Sequence, residues 1–132
     1  MTSTEILHYS KGQSSSIQHL GPYALETLVS ESEEITMTAY RVSIAPHSTT
    51  ATSYHKYAEE IYYVLEGKGQ AVLNNRPYRL HVGDFLRLPP GTKHSFTTGD
   101  NALVLLDIHS PGSRPNRDVY FEGKAPDGFS SS

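Results

Sequence analysis

The chain has 132 residues, the length of one domain. It has 11 lysines and arginines against 14 aspartates and glutamates, with no basic run. This balance argues against a nucleic-acid-binding protein, because such a protein needs clustered positive charge. No cysteine is present, which excludes disulfides, a thiol nucleophile and cysteine-ligated metal centres. The longest apolar run, 102–106, has five residues and is too short for a membrane-spanning helix or the apolar part of a signal sequence, so we expect a soluble, cytoplasmic protein.

The two ends of the chain differ from its middle in composition. Residues 1–20 lack a clear periodicity, and we interpret them as an N-terminal arm with a short strand near Ile6–His8. Residues 124–132 are rich in glycine, proline and serine and are predicted to form a flexible C-terminal tail. The folded domain is therefore expected within residues 21–123.

The middle of the chain is predicted to be a series of short strands. Turn residues recur every 8–15 positions, and no amphipathic helix longer than two turns is found. The predicted strands, rich in Tyr, Val, Ile, Thr and Phe, are Ala24–Val29, Thr36–Ala45, Thr50–Lys56, Glu60–Glu66, Gly69–Leu73, Tyr78–Leu80, Phe85–Leu88, His94–Thr98 and Leu103–His109. This pattern indicates a single all-β domain, either a sandwich or a barrel.

The strand Leu103–His109 is apolar on both faces up to Asp107. A strand of this kind needs cover on both sides. In so short a chain the second cover would come from the N-terminal arm or from a second subunit. We therefore expect a homodimer.

Three residues with metal-binding side chains stand at or near predicted strand ends. His55 precedes Glu60 by five positions, and His94 opens a strand after a Pro-Pro-Gly turn. Imidazole and carboxylate groups are common ligands of divalent Zn, Fe, Mn and Ni. A turn over residues 56–59 would pair the strands of His55 and Glu60, and His94 would come from a non-neighbouring strand. Hydrogen-bonded histidines and solvent-facing carboxylates are the alternative interpretation.

Two segments resemble the motifs of the cupin superfamily, G-x5-H-x-H-x3,4-E-x6-G and G-x5-P-x-G-x2-H-x3-N. Residues 47–67 and 83–98 supply the matching positions His55, Glu60 and Gly67, then Gly83, Pro89, Gly91 and His94. The resemblance implies a cupin-type jelly-roll β-barrel over residues 21–123, in a family that is often dimeric. It also implies one divalent transition metal (Fe, Mn, Zn or Ni) held inside the barrel by His55, Glu60 and His94.

The chain departs from the family motifs at three positions, where His47, Ser53 and Thr98 stand. Ser53 replaces a metal-binding histidine and, by alternation, shares the inward face with His55. A hydroxyl is a poor ligand for these metals but can hold a metal-bound water. The site is therefore either a three-ligand centre with open coordination positions or a decayed centre that leaves only a pocket.

Further residues are candidates for the pocket on the same alternation argument. Tyr62 shares the face of Glu60 and, with Ser53, is a candidate catalytic residue that orients substrate or moves a proton; core packing is its alternative role. Phe96 is predicted to be pocket wall. Asp107 and His109 form a possible second acid–base pair, although their place at a strand end predicts exposure to solvent.

Several charged residues and histidines have no assigned place in the pocket. Arg87 and Arg41 are equal candidates to pair with an anionic substrate. Segment 111–123 contains one strand-like patch and is interpreted as a solvated loop. The alternative is that it folds back along the barrel or crosses a dimer interface, with Arg114 and Arg117 at the edge of the pocket mouth. The histidines expected at the surface are His8, His19 and His81, and His47 is expected in a turn.

The resemblance and the residues together favour an enzyme that uses a metal to act on a small organic molecule. The metal would act as a Lewis acid or bind dioxygen, and the reaction would be either dioxygenation or redox-neutral isomerase, cyclase or lyase chemistry. The alternative is a non-catalytic cupin that binds a small ligand or a sugar. A purely structural dimeric barrel is a third possibility.

Overall fold

The computed structural model describes residues 5–10, 13 and 16–129, and none of these residues lies in a helix. In this part of the chain there is accordingly no helix long and apolar enough to cross a membrane. The strands are β1 (Ser16–Leu20), β2 (Tyr23–Thr27), β3 (Thr38–Ile44), β4 (Ser53–Tyr54), β5 (Glu59–Glu66), β6 (Lys68–Leu73), β7 (Arg76–His81), β8 (Phe85–Leu88), β9 (His94–Thr97), β10 (Leu103–Ser110) and β11 (Tyr120–Phe121). Each predicted strand between residues 24 and 109 overlaps one of these.

The strands form two antiparallel sheets. The first has six strands in the order β1-β2-β3-β10-β5-β8, and the second has five in the order β11-β4-β9-β6-β7. Neighbours such as β3 and β10 are far apart in sequence, as the crossing connections of a jelly roll require. The predicted all-β jelly roll is confirmed. Within the described residues the two sheets face each other without a strand pair that would close them into a continuous barrel.

The N-terminal strand lies later in the sequence than predicted. Residues 6–8 do not form a strand, whereas β1 pairs with β2 along its whole length. The strand near Ile6–His8 was therefore a wrong prediction. Part of the predicted arm lies outside the described residues, as do residues 130–132 of the predicted tail.

Alternation along the central strands of the first sheet buries one face against the second sheet. In β3 every second residue is buried, and in β10 the buried positions begin with Leu103 and Leu105, neither of which has measurable exposure. Phe96 and Ala71 of the second sheet complete this apolar core. The predicted inward position of Phe96 is confirmed.

The inward faces change from apolar to polar toward one end of the sheets. Along β10 the buried positions continue from Leu105 to Asp107 and His109. The register places His109 opposite Glu60 of β5 on one side and opposite Thr38 of β3 on the other. Three neighbouring strands therefore present polar side chains at the same end of the molecule.

The connection between β4 and β5 is a crossover and not the predicted hairpin turn. β4 belongs to the second sheet and β5 to the first. The predicted turn over residues 56–59 joins strands that do not pair, so that prediction was wrong. His94 was also placed incorrectly, because it lies directly opposite Ser53 on the strand that neighbours β4.

Gly67, the last position of the first motif, occupies a turn that only glycine fits. Its φ is +78°, and a Cβ atom there would lie 1.9 Å from the carbonyl oxygen of Ala102. Any side chain would collide with that backbone. The glycine therefore allows the close approach of the β5–β6 turn to the start of β10.

The segment after β10 folds back over the polar end of the sheets. Its strand β11 pairs with β4, and the backbone of Ser113 exchanges hydrogen bonds with the hydroxyl of Thr38. Arg114 and Val119 are buried. The predicted solvated loop is therefore wrong for these positions, and the strand-like patch is confirmed at β11.

Candidate metal centre

Four metal-binding side chains converge under the C-terminal segment. Glu60 lies on β5 and His109 opposite it on β10, both in the first sheet. His94 opens β9 in the second sheet, and His55 follows β4 directly. All four are buried, with Glu60 only 1% exposed.

The carboxylate of Glu60 is the centre of this group. Its Oε1 lies 3.2 Å from Nε2 of His55 and 3.6 Å from Nε2 of His94. Its Oε2 lies 2.8 Å from Nε2 of His109. The three histidines thus present the same ring nitrogen to one carboxylate.

His55, Glu60 and His109 form the tightest part of the cluster. Each offers one ligand atom, and these atoms all lie within 4.8 Å of one another. The described residues therefore contain a possible metal-binding group of two imidazoles and one carboxylate. His94 borders this group on the side of Glu60 Oε1.

The outer ring nitrogens of the histidines are already occupied. Nδ1 of His55 donates to the backbone oxygen of Asp118 at 2.6 Å, and Nδ1 of His94 donates to that of Thr92 at 3.1 Å. Nδ1 of His109 lies 3.3 Å from the hydroxyl of Thr38, which itself donates to Ser113. Each outer nitrogen therefore carries a proton, and Nε2 is the ring nitrogen available to a metal ion, as in metal-binding histidines.

Two buried carboxylate oxygens at the centre lack a hydrogen-bond partner among the described residues. They are Oε1 of Glu60 and Oδ1 of Asp107. A buried acceptor without a partner is costly, by about 1–3 kcal/mol or more when charged. A divalent cation between Glu60 Oε1 and the histidine nitrogens would satisfy Glu60. The residues present fit such an ion.

The charges of the cluster are mutually stabilising. Burial acts to raise the pKa of Glu60, but the three surrounding histidines outweigh it and hold that pKa well below its usual range. Burial lowers the pKa of His94. Burial also acts to lower the pKa of His55, but the Glu60 carboxylate and the bond to Asp118 raise it overall. Glu60 is thus an anion at neutral pH, and His94 is a neutral imidazole.

Two groups beside the cluster have raised pKa values. Burial, with the carboxylates of Asp107 and Glu60, raises the pKa of Tyr62 well above its usual range. Burial, with the charge of Glu60, likewise raises the pKa of Asp107. The ring of Tyr62 lies 6.1 Å from that of His94. Tyr62 therefore keeps its proton at neutral pH and is a potential proton donor in the pocket.

Ser53 lies inside the site but away from its centre. It is buried, and its Oγ is 3.5 Å from Nε2 of His94. The inward orientation predicted from alternation with His55 is therefore observed. The distance suits a weak hydrogen bond or a shared water.

The glycine turn of the second motif is hydrogen-bonded to the first motif. Gly91 has a φ of +86°, and its N–H donates to the backbone oxygen of His55 at 2.6 Å. This bond holds the turn before His94 against the residue that follows β4. The two motif histidines are brought together in this way, with ring centroids 5.4 Å apart.

A cavity opens beside the cluster and extends beneath the C-terminal segment. It is open to solvent, and about 560 Å³ of space lies between its walls and in its opening. Its walls include the cluster, Tyr62, Asp107 and Ser53, and aromatic and aliphatic side chains of both sheets. The C-terminal segment adds Ser113, Arg114, Pro115, Val119, Phe121 and Phe129.

His109 and Arg114 line the cavity, although solvent exposure was the favoured prediction for both. His109 and Asp107 were expected to be exposed, but they are only 4% and 6% accessible. The apolar stretch of β10 already indicated a central strand, whose end borders other strands and not solvent. Arg114 was placed near the pocket only in the alternative interpretation, because its burial depends on the return of a loop.

The other candidate arginines and histidines lie outside the cavity. Arg41 pairs with Glu26 at 3.0 Å, and Arg87 pairs with Glu59. Neither lines the cavity, so neither was a correct candidate for an anionic substrate in this pocket. His8, His19, His47 and His81 are exposed, as predicted.

Comparison with known proteins places these motifs in a family. Residues 40–109, more than half of the chain, match the cupin domain family. An uncharacterized protein of Methanocaldococcus jannaschii is 43% identical over 74 residues, which are 54% of this chain and 59% of that protein. The transcriptional activator RhaR of Escherichia coli is 36% identical over 87 residues, which are 66% of this chain and 30% of RhaR. The chain thus spans less than two thirds of each of these relatives.

A solved structure of Streptomyces Pac13 with uridine has the same fold. Its TM-score is 0.74 with 16% sequence identity, over 91% of this chain and 94% of that one. Pac13 is described as a nucleoside dehydratase. At this identity the likeness concerns the fold alone.

Proposed function

Because this chain belongs to the cupin family, we propose that it is an enzyme that binds one divalent transition metal at the polar end of its two sheets and acts there on a small organic molecule. The observation behind this proposal is the buried Glu60 carboxylate with an unpartnered Oε1. Nε2 atoms of three histidines face the carboxylate, and each histidine has its Nδ1 already occupied.

His55, Glu60, His94 and His109 would hold the metal. The sequence supports the first, second and third of these, and the geometry adds His109. A metal bound there would act as a Lewis acid on a substrate oxygen. Fe, Mn, Zn and Ni all accept this mixture of nitrogen and oxygen ligands.

The residues beside the cluster favour redox-neutral chemistry. Tyr62 retains its proton in the buried pocket and can donate from its hydroxyl to a substrate atom. Ser53 can orient a substrate or a water through its hydroxyl. The fold likeness to a dehydratase is consistent with proton transfer, in the class of isomerases, cyclases and lyases.

Dioxygenation is the alternative reaction. With His55, Glu60, His94 and His109 as ligands, a six-coordinate ion would keep two positions for other groups. Two positions admit a substrate atom together with dioxygen, so the preference for redox-neutral chemistry rests on Tyr62 and Ser53. Turnover measured with and without dioxygen separates the two reactions.

Elemental analysis of the untagged protein tests whether the chain binds a metal ion. After growth in medium with added Fe, Mn, Ni and Zn, we expect about one metal ion per chain. His55→Ala, His94→Ala and His109→Ala should each lower metal affinity at least about tenfold, since the loss of even an outer-shell partner has effects of this order. The matched control is His81→Ala, an exposed histidine, which should retain full metal. A wild-type protein without stoichiometric metal would contradict the proposal.

The second candidate is a non-catalytic cupin that binds a small ligand or a sugar. The similarity to part of a transcriptional activator favours it, as does the serine in place of a motif histidine. This candidate predicts ligand binding without turnover and without a need for metal. The same elemental analysis, followed by activity assays, distinguishes it from the enzyme.

A further inference from the structure

The cavity wall includes a cationic side chain besides the histidines of the candidate metal centre. Arg114 lies in the segment that folds over the cavity and is only 7% exposed. It is the only lysine or arginine among the described residues that line the cavity. A guanidinium in this place needs an explanation, because burial of a charge is costly unless the charge is paired.

The guanidinium is held in a fixed position. Its Nε and Nη2 donate to Oε1 of Glu34 at 3.2 and 2.8 Å, and Nη2 also donates to the backbone oxygen of Val29 at 3.0 Å. Its Nη1 donates to the hydroxyl of Tyr40 at 3.4 Å. These bonds use four of the five N–H groups of the guanidinium.

A second arginine shares the carboxylate that pairs with Arg114. Arg117 binds the same Glu34 carboxylate, at 2.8 Å from Oε2 and 2.6 Å from Oε1. The carboxylate of Glu34 therefore serves two guanidinium groups, and Glu31 adds its charge on the side of Arg117. Arg117 is 45% exposed, whereas Arg114 faces the cavity.

One tyrosine connects this charge to the metal-binding histidines. The hydroxyl of Tyr40 contacts Arg114, and its ring lies 6.2 Å from the ring of His109. Apolar side chains such as Leu25 and Val42 line the same cavity. A small molecule in this cavity can therefore contact Arg114 and the histidines at the same time.

We propose that Arg114 is a specificity-determining residue that binds an anionic group of the substrate, a carboxylate or a phosphate ester. The substrate is then a small molecule with this anion at one end and its reacting polar group at the other, next to the histidines. The Nη1 N–H that these bonds leave over is the guanidinium donor available to such an anion. A hydrogen bond from a charged guanidinium N–H to a carboxylate or phosphate oxygen is stronger than one between neutral groups. The identity of the reacting end rests on the proposed function, whereas the binding of the anion does not.

Binding measurements on the chelator-treated, metal-free protein test this inference. The probes are benzoate, phenyl phosphate and the neutral benzamide, each titrated by NMR at constant ionic strength. We expect saturable binding of at least one of the two anions, at least tenfold tighter than that of benzamide. Whichever anion binds more tightly shows whether the site prefers a carboxylate or a phosphate ester. Because metal is absent, failure of the metal-dependent function does not affect the result.

Variants separate recognition from a purely structural role. Arg114→Gln should weaken binding of the anion at least tenfold, and Arg114→Lys, which keeps the charge, should retain part of it. The matched control is Arg41→Gln, which removes a guanidinium from a single ion pair outside the cavity and should change binding less than twofold. The inference is overturned if benzamide binds as well as the anions, if neither anion binds, or if both glutamine variants weaken binding equally. The comparison of anions with benzamide in the wild type decides the matter even where Arg114→Gln does not fold.

Discussion

At the scale of single residues, the candidate metal centre lacks one motif histidine and has another histidine from outside the motifs. Ser53 stands where the family motif has a histidine, and its hydroxyl lies beside His94. His109, outside both motifs, brings a third imidazole to 2.8 Å from Glu60. The number of nitrogen donors around the carboxylate is therefore three, although the motifs supply only two.

Ser53→Ala tests whether the serine contributes to binding of the proposed metal. We expect metal content to remain within twofold of the wild type, because a neutral hydroxyl is a weak ligand beside three imidazoles. Elemental analysis and a metal titration monitor the result, with His109→Ala as the contrasting variant that loses metal. Loss of metal in Ser53→Ala would instead show that the serine holds the ion directly.

At the scale of structural elements, one aspartate fixes the C-terminal segment to the crossover between the sheets. The Asp118 carboxylate accepts backbone N–H bonds from Lys56, Tyr57 and Ala58 at 2.8, 3.1 and 2.9 Å. Its backbone oxygen accepts the bond from His55. Asp118 has a φ of 59°, a conformation that aspartate and asparagine tolerate better than most residues. The same residue thus orders a loop and orients a histidine of the centre.

Asp118→Ala should lower the free energy of unfolding by about 2–3 kcal/mol. It leaves three backbone N–H groups, including that of the buried Ala58, without their charged acceptor and puts alanine in a left-handed conformation. Asp118→Asn retains an acceptor oxygen and the conformational tolerance, so a loss of about 1 kcal/mol is expected. Urea unfolding measures both variants, with the exposed Asp127→Ala as a control that should stay within about 0.5 kcal/mol. An Asp118→Ala protein as stable as that control would refute this role.

At the scale of the whole molecule, Glu34 connects parts of the chain that lie about 80 residues apart. Its bonds to Arg114 and Arg117 join the loop before β3 to the segment that covers the cavity. The homodimer expected from the sequence stays a prediction. The outward residues Val104, Leu106 and Ile108 of β10 are half-buried within a single chain.

Stability should depend on pH through Glu34. The hydrogen bond from Arg117, with that from Arg114, lowers its pKa below the ordinary 4.5 despite partial burial. A depressed folded-state pKa stabilises the protein above the unfolded-state value and loses that contribution as pH falls through the folded-state value. Glu34→Gln should therefore cost about 2 kcal/mol at pH 7, and its difference from the wild type should shrink from about pH 4.5 downward.

Urea unfolding of both proteins between pH 7 and pH 3 measures this difference. Glu31→Gln, an exposed carboxylate in the same loop, is the control and should follow the wild type. A constant difference across the pH range would mean that Glu34 acts by packing and not by charge.

The sequence by itself determined the strands, the family and the motif residues of the centre. Alternation and turn residues act over a few positions, so β5, β8 and β10 follow directly from local composition. The same alternation placed Ser53 and Tyr62 on inward faces, and both line the cavity. These features depend on neighbours in the chain.

Only the tertiary structure decided which strands meet. His109 joins the centre because β10 pairs with β5 in a register that sets it opposite Glu60. No local pattern fixes the register between two strands that are so far apart in the sequence. The crossover after β4 was likewise mistaken for a hairpin, because a short polar turn is compatible with either connection. Arg114 became part of the cavity because a polar loop folds back and satisfies its hydrogen bonds through Glu34, Val29 and Tyr40. Burial of such a loop depends on partners that are distant in sequence, and these exist only once both sheets are assembled.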